Sequence, residues 1–283
     1  MPEAIWITFA FVLGLGVKAV GLPPLVGYLA AGFVLSGLAS FTSLAVEQTD
    51  VLAHIAHLGV LLLLFTVGLK LKLKSIVSPE VIGGGLLHFG ITCLVFTPGL
   101  YWLLDLDWLT AFLLAVALSF SSTVLAAKVL ESKREIRAFH GRVAIGILIV
   151  QDLIALVVMS LAAGKTPSEW ALMVFGLPLL RPLLYKLLDA SGHDELLVLL
   201  GLLLALVVGG LGFEAVGLSS ELGALIFGAM LANHPRSQEL SKSLWSVKEM
   251  FLVGFFLQIG IGGLPDQQAI IFAVVAALVL PLK

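Results

Sequence analysis

The stretch from Ala144 to Val158 reads AIGILIVQDLIALVV, an apolar run interrupted only by Gln151 and Asp152. A charge at the centre of a membrane-spanning helix costs about 2.5–3.5 kcal/mol on insertion scales, so such a residue usually has a function. Burial disfavours the charged form of a carboxyl, which can then hold a proton or release it to take a cation. We therefore predict that Asp152 is a shared cation and proton site. The alternative is a neutral, hydrogen-bonded carboxyl with a structural role.

The whole chain shares this apolar character. Of its 283 residues, 60% are hydrophobic and 12% are charged, and the mean hydropathy is +1.12. Because soluble domains carry about 25% charged residues, the composition excludes a soluble enzyme, a nucleic-acid-binding protein and a disordered chain. The net charge of −2 indicates no polyanionic partner. The single cysteine, Cys93, excludes disulfide frameworks and cysteine-based metal sites.

Apolar stretches recur along the chain at lengths that suit membrane-spanning helices. A helix needs about 20 residues to cross the hydrocarbon core, whereas a membrane-barrel strand has about 10 residues of alternating polarity. We therefore predict an all-α polytopic membrane protein embedded in the lipid bilayer. The eleven predicted spans are 5–20, 23–41, 51–69, 81–104, 109–130, 140–163, 170–188, 194–212, 215–233, 246–263 and 268–283.

The basic residues indicate the orientation of these spans. Of the 16 lysines and arginines, 14 fall in or beside the odd-numbered connections; the other two are Lys165 and Lys283. Since cytoplasmic loops are enriched in lysine and arginine, we predict that the odd-numbered connections are cytoplasmic and that the N-terminus lies outside. The start of the chain has no basic region and no cleavage site, so we expect the first span to be retained.

Two segments of the chain resemble each other. Gly21–Gly32 reads GLPPLVGYLAAG and Gly217–Gly228 reads GLSSELGALIFG, with three glycines in register. The spans that follow agree more weakly, at Phe65–Leu69 and Leu257–Ile261. The matched spans are seven apart and so would cross the membrane in opposite directions, as in the inverted repeats of secondary transporters. Similar packing of glycine-rich helices is the alternative.

The repeat divides the chain into three parts, all within one transmembrane domain covering residues 1–283. We predict a first inverted repeat over about 1–165, a linker helix over about 168–190 and a partial second repeat over about 194–283. In such transporters the substrate site lies near the bilayer midplane, at the interface of the repeats.

A second polar feature lies inside the predicted span 109–130. Residues Ser119–Thr123 read SFSST, and hydroxyl side chains compete with the backbone hydrogen bonds of a helix. A break at membrane depth is tolerated only where the backbone is buried or lines a cavity. We predict a broken helix here, with oxygens near Ser121, Ser122 and Thr123 as cation ligands. An ordinary helix packed through small side chains is the alternative.

Two further polar residues lie within apolar spans. Glu221 comes early in the span 215–233, and Gln258 lies in the span 246–263. We regard both as secondary polar sites, with structural or interface roles as the favoured interpretation of Glu221 and a packing role as that of Gln258. His88, in the span 81–104, is interpreted as a satisfied packing residue.

These segments together resemble the Kef-type potassium/proton antiporters of the monovalent cation:proton antiporter superfamily. The resemblance rests on Gln151-Asp152, on Ser121–Thr123, on the glycine-rich segment 21–32 and on Lys248–Gly260, and it covers essentially the whole chain. It implies a homodimer with an inverted-repeat, sodium/proton-antiporter-like fold of 13 helices, in which a mobile core domain moves against a dimerisation domain. About 11 of the 13 helices are expected in this chain, and the family's nucleotide-binding regulatory domain lies outside it.

The resemblance also assigns roles to single residues. Asp152 matches the family's cation- and proton-binding carboxylate, and Gln151 stands where electrogenic sodium/proton relatives carry a second aspartate. Lys283 falls where such antiporters keep a lysine and is a candidate charge partner. We predict a secondary transporter that exchanges a monovalent cation, K⁺ over Na⁺, for protons without net charge movement and without a cofactor. It would lie in a bacterial inner membrane.

Three other interpretations stay open from the sequence. A sodium-coupled solute symporter of related fold would need a larger polar cavity. A gated potassium channel would need a carbonyl filter such as TVGYG, of which Thr66-Val-Gly-Leu matches only the first three letters. The third interpretation is that this chain is only part of a transporter and does not transport by itself.

Overall fold

The computed structural model describes residues 2–41, 50–70, 78–121, 123–163, 169–264, 267, 270 and 274. For some helical residues, Asp152 among them, it describes the backbone alone. Every secondary-structure element within these residues is helical, which confirms the predicted all-α fold class. The last predicted span, 268–283, lies almost wholly outside the described residues.

The helices follow the apolar stretches closely. Two segments depart from α geometry: Glu169–Leu180 is a 3₁₀ helix and Leu203–Leu211 is a π helix. The α-helices are α1 (Pro2–Ala19), α2 (Pro24–Phe41), α3 (Asp50–Gly68), α4 (Pro79–Leu104), α5 (Trp108–Ser119), α6 (Thr123–Ser132), α7 (Phe139–Ala163), α8 (Arg181–Ala190), α9 (Glu195–Leu202), α10 (Gly212–Ala215), α11 (Ser220–Leu231), α12 (Ser237–Ser243) and α13 (Trp245–Ile261).

Three helical segments within the described residues are long and apolar enough to cross a bilayer: 50–68, 79–102 and 195–215. The pair α12 and α13, bent by 52°, passes the same test if counted as one span. Other apolar helices, among them 4–19 and 220–231, are shorter than 18 residues. Apolar helices of this kind can span the hydrocarbon core of a bilayer, because a helix satisfies its backbone hydrogen bonds internally.

Local chemistry fixes several helix starts. Pro24 and Pro79 are the first residues of α2 and α4, where proline is tolerated because the first N–H groups of a helix have no partner inside it. Asp107 caps α5: its carboxylate accepts hydrogen bonds from the Thr110 backbone N–H at 2.9 Å and the Thr110 hydroxyl at 2.6 Å. Both bonds lower the pKa of Asp107 below its ordinary value, and the bond from the Thr110 hydroxyl has the larger effect.

The contacts divide the chain into two compact units. The first comprises residues 1–60 and 245–283, and the second comprises residues 61–244. In the first unit α2 packs against α1 and α13, around a core that includes Trp6, Ala31 and Leu257. In the second unit α4 packs against α5 and α7, and α11 packs against the π helix 203–211.

Each unit contains a close helix crossing made by two glycines. In the first unit, a Cβ atom added to Gly32 would lie 2.7 Å from the Cα of Gly260. In the second unit, a Cβ added to Gly68 would lie 3.0 Å from the Cα of Gly228. Backbone atoms stand at both contacts, so any larger residue would force the helices apart. Small residues of this kind let membrane helices approach closely.

The two crossings correspond to each other in the repeat alignment. Gly32 aligns with Gly228, and Gly68 aligns with Gly260. Exchanging the repeats therefore converts the Gly32–Gly260 crossing into the Gly228–Gly68 crossing. This exchange is expected of two repeats related by a pseudo-two-fold axis. The boundaries of the predicted repeats stay a prediction.

Candidate functional site

The helix break predicted at Ser119–Thr123 is present. Helix α5 ends at Ser119, Phe120 is extended with φ −79° and ψ 149°, and α6 begins at Thr123. The Ser119 hydroxyl donates to the Val116 carbonyl at 2.6 Å, a local bond of the kind that competes with helix continuation. The Phe120 ring packs 6.5 Å, centroid to centroid, from the ring of Phe89 on α4.

Gln151 on α7 holds the break in place. Its side chain is buried, with 2% of its surface exposed. Its Oε1 accepts a hydrogen bond from the backbone N–H of Ser121 at 3.1 Å. That N–H has left the helix, and an unpaired backbone donor would be costly at this depth. Thirty residues of sequence separate the two partners, so this bond ties α7 to the α5–α6 break.

The other end of the Gln151 amide contacts His88 on α4, with Nε2 3.2 Å from His88 Nδ1. Because Oε1 of the amide faces the Ser121 N–H, Nε2 is the donor and Nδ1 of His88 is the acceptor. The imidazole proton of a neutral His88 is therefore on Nε2. One amide thus joins three elements: the break, α7 and α4.

Asp152 follows Gln151 in α7, within the helix Phe139–Ala163. Its side chain lies outside the described part of the structure. The side chain of Gln151, one residue before Asp152, nevertheless accepts a hydrogen bond from the Ser121 N–H at the helix break. The residue that precedes Asp152 therefore links α7 to the helix break.

The remaining predicted site residues are placed as follows. Ser121 is exposed and Thr123, the first residue of α6, is buried. Ser122 and Lys283 lie outside the described residues. Gln258 is half-buried on α13, in the first unit.

Glu221 has a local role at the start of α11. Its carboxylate accepts hydrogen bonds from the Ser219 hydroxyl at 2.7 Å and the Ser220 hydroxyl at 3.3 Å. Ser219 is the cap of the same helix and accepts from the Leu222 N–H. These contacts support the structural role favoured for Glu221.

His88 is the residue at this site whose part the sequence interpretation missed. A polar ring inside the apolar span 81–104 was the available signal, and it was attributed to packing. The partner that gives His88 its place, Gln151, is 63 residues away in sequence, so spacing alone could not reveal the contact.

The break brings together oxygen atoms of the kind that a cation site needs. A helix ends in carbonyls with a partial negative charge, and α5 points such an end at the break. Hydroxyl and freed carbonyl oxygens are the ligands that transporters with discontinuous helices use for Na⁺ and protons. The described residues therefore supply hydroxyl and carbonyl oxygens at the break, and the break is hydrogen-bonded to α7. Helix α7 carries one carboxylate, Asp152, in its apolar middle.

Comparison with known proteins gives a consistent result. The chain matches the family model described as sodium/hydrogen exchanger, transmembrane, over residues 7–282. It is 30% identical over 282 residues to YbaL of Escherichia coli (strain K12), named as a cation/proton antiporter, covering 90% of this chain and 50% of that protein. It is 32% identical over 264 residues to the glutathione-regulated potassium-efflux system protein KefC of Klebsiella pneumoniae (strain 342). That match covers 85% of this chain and 41% of that protein. The chain thus spans half or less of the length of these relatives.

Proposed function

The chain belongs to the sodium/hydrogen exchanger transmembrane family, among the Kef-type monovalent cation:proton antiporters, and on that premise we propose that it exchanges K⁺ for protons by alternating access. The family is one of integral membrane transporters. The proposal adds the ion, the carboxylate and the stoichiometry.

One observation carries the proposal. The α5–α6 break is tied to α7 by the hydrogen bond between the Ser121 N–H and Gln151, one residue before Asp152. A break in a membrane helix is costly unless its backbone is satisfied, so a side chain that satisfies it supports a function for the break. The nearest ionisable residue along α7 is Asp152.

The cycle we propose uses one carboxylate for two ions. Ionised Asp152 takes the cation, and oxygens at Ser121, Ser122 and Thr123 replace water around it. Protonated Asp152 returns to the other side uncharged. Since a cation and a proton compete for the same group, neither can cross with the other, and exchange is obligatory.

Two further features of the proposal follow from the relatives and from position 151. The relative named for potassium efflux supports K⁺ over Na⁺ as the cation. The neutral Gln151 leaves Asp152 as the only ionisable group of the pair, so each cycle moves one cation against one proton.

We also propose the setting in which the chain works. It lies in a bacterial inner membrane as a homodimer with its N-terminus outside, and a regulatory cytosolic domain or subunit acts on it. The relatives named above are bacterial and are about twice as long as the matched segment, which leaves room for such a domain in them.

Vesicles that contain the chain and a luminal pH dye test the function. An external pulse of K⁺ should make the lumen more alkaline, because protons leave as K⁺ enters, and Na⁺ and Li⁺ pulses should give smaller signals. No protonophore should be needed. A potassium channel would change the luminal pH only after a protonophore is added, and a sodium-coupled symporter would give no signal with K⁺. Either result would contradict the proposal.

A further inference from the structure

A polar cavity of about 410 Å³ lies in the second unit, apart from the helix break. Three segments meet there: the end of α3, the connection between α6 and α7, and the turn before α12. Its wall is formed by Leu69, Lys70, Arg137, Arg142, Ala232, His234, Pro235, Ser237 and Gln238.

The charge on this wall is of one sign. Lys70, Arg137 and Arg142 line it, and no carboxylate does among the described residues. Lys70 is already neutralised, because its Nζ binds Glu131 Oε1 at 2.8 Å. For the guanidinium groups of Arg137 and Arg142, the described part of the chain provides no ion pair. Two arginines that line one cavity and have no ion-pair partner among the described residues create a positive potential that attracts an anion.

The other polar residues of the wall are His234, Ser237 and Gln238. The His234 ring is buried, and its Nδ1 accepts from the Arg236 N–H at 3.2 Å, so its proton is on Nε2. Nε2 in turn faces Asp189 Oδ1 at 3.3 Å. Both nitrogens of His234 are therefore occupied. Ser237 and Gln238 add polar atoms to the same wall.

We propose that this cavity binds the phosphate group of a small anionic ligand, through Arg137 and Arg142. A guanidinium group can donate two parallel, charge-assisted hydrogen bonds to two oxygens of one phosphate. The absence of a carboxylate from the described wall leaves these donors available to an anion. A volume of about 410 Å³ lies within the range of ligand pockets. The phosphate could be that of a phospholipid headgroup or of a soluble phosphate ester, since both present the same anion to the arginines.

Binding would add a link between the three segments that meet at the cavity. Arg137 and Arg142 flank the start of α7, the helix that carries Gln151 and Asp152. A phosphate held there would brace the start of α7 against the α3 end and the α12 turn. The proposal does not depend on the transport function, because the cavity shares no residue with the helix break.

The test compares Arg137→Gln, Arg142→Gln and the double variant with Lys133→Gln. Lys133 is an exposed cation near the same connection that does not line the cavity. For soluble ligands, inorganic phosphate and glycerol phosphate are titrated against the detergent-solubilised chain, with KCl at matched ionic strength, and binding is measured by calorimetry. For lipids, native mass spectrometry counts phosphatidylglycerol and phosphatidylcholine molecules retained by the chain.

We expect one of the two probe classes to bind the parent chain and Lys133→Gln alike. Each arginine variant should weaken that binding about ten-fold, since each removes a charge-assisted contact. Retention of phosphatidylglycerol over phosphatidylcholine would identify a lipid headgroup, and binding of glycerol phosphate would identify a soluble ester. If neither class binds, or if the arginine variants bind as Lys133→Gln does, the proposed site is wrong.

Discussion

Position 151 shows why an amide and not a carboxylate precedes Asp152. The Gln151 side chain accepts from the Ser121 N–H and donates to His88 Nδ1 at the same time. An ionised carboxylate has no donor, and an aspartate is also one methylene shorter. Gln151 therefore meets the helix break and His88 with an acceptor and a donor on one side chain, and an ionised carboxylate lacks that donor. The sequence predicts Gln151 as part of the ion site, and that role stays a prediction; its contacts link α7 to the helix break and to α4.

Replacing Gln151 by Leu should destabilise the protein by about 1–3 kcal/mol, because the Ser121 N–H and His88 both lose a buried partner. Thermal unfolding in detergent measures this. Gln258→Leu, at a half-buried glutamine on α13, controls for the change from amide to leucine. Equal effects of the two substitutions would mean that the bonds to Ser121 and His88 contribute nothing special.

The same position bears on the charge moved in each cycle. With one titrating carboxylate, one cation exchanges for one proton and the membrane potential has no effect. A cycle with one extra charge would couple to voltage by about 2.3 kcal/mol per 100 mV. We predict no sustained current on a solid-supported membrane, and none from Gln151→Asp, since the surroundings solvate one charge. Lys283 would have to release a proton on cation binding to change this. A current that scales with K⁺ concentration would refute one-for-one exchange.

At the scale of the elements, the helix break could be predicted from the sequence, but the hydrogen bond that links it to α7 could not. Four hydroxyl residues in Ser119–Thr123 weaken a helix through local chemistry, which a sequence shows directly. The bond from Ser121 to Gln151 joins residues that only the packing of α7 brings together.

The π helix 203–211 was likewise missed, since the sequence predicted an uninterrupted span over 194–212. There Gly209 packs on α11, where a Cβ would lie 2.9 Å from the Cα of Ala224.

The glycine crossings allow a matched test. Gly32→Ala and Gly228→Ala each place a Cβ against the backbone of a partner helix, so each should destabilise the protein by about 1–3 kcal/mol through overpacking. Gly90→Ala, on α4, meets no atom within 4 Å and should be neutral or slightly stabilising, because alanine favours helix. Thermal unfolding in detergent compares the three. Tolerance of alanine at Gly32 or Gly228 would show that the helices do not cross there as described.

At the scale of the molecule, the sequence alone indicates an internal repeat. Three glycines in register suggested the repeat, and the exchange of Gly32–Gly260 for Gly228–Gly68 is the contact pattern that such a repeat would produce. The division into two contact units, 1–60 with 245–283 and 61–244, interleaves the predicted repeats. Periodicity finds a repeat along the chain, but only packing decides which halves associate.

The orientation of the chain is a separate prediction, based on the 14 basic residues of the odd-numbered connections. Single cysteines at Arg137 and Lys242, in a Cys93→Ser background, should react with a membrane-impermeant maleimide only from the cytoplasmic side. A cysteine at Asp107 should react only from outside. All three positions are exposed. If Asp107 and Arg137 react from the same side, the spans between them have been miscounted.

The central claim is that Asp152 carries both the cation and the proton. Its most direct test is the K⁺ pulse on vesicles with a luminal pH dye, comparing Asp152→Asn with Asp107→Asn. The amide keeps the size of the carboxyl but cannot exchange a proton, whereas Asp107 is an exposed helix cap. We predict that Asp152→Asn folds, as judged by its thermal unfolding, and gives no alkaline shift, while Asp107→Asn exchanges like the parent chain. Exchange by Asp152→Asn at the parent rate would contradict the account.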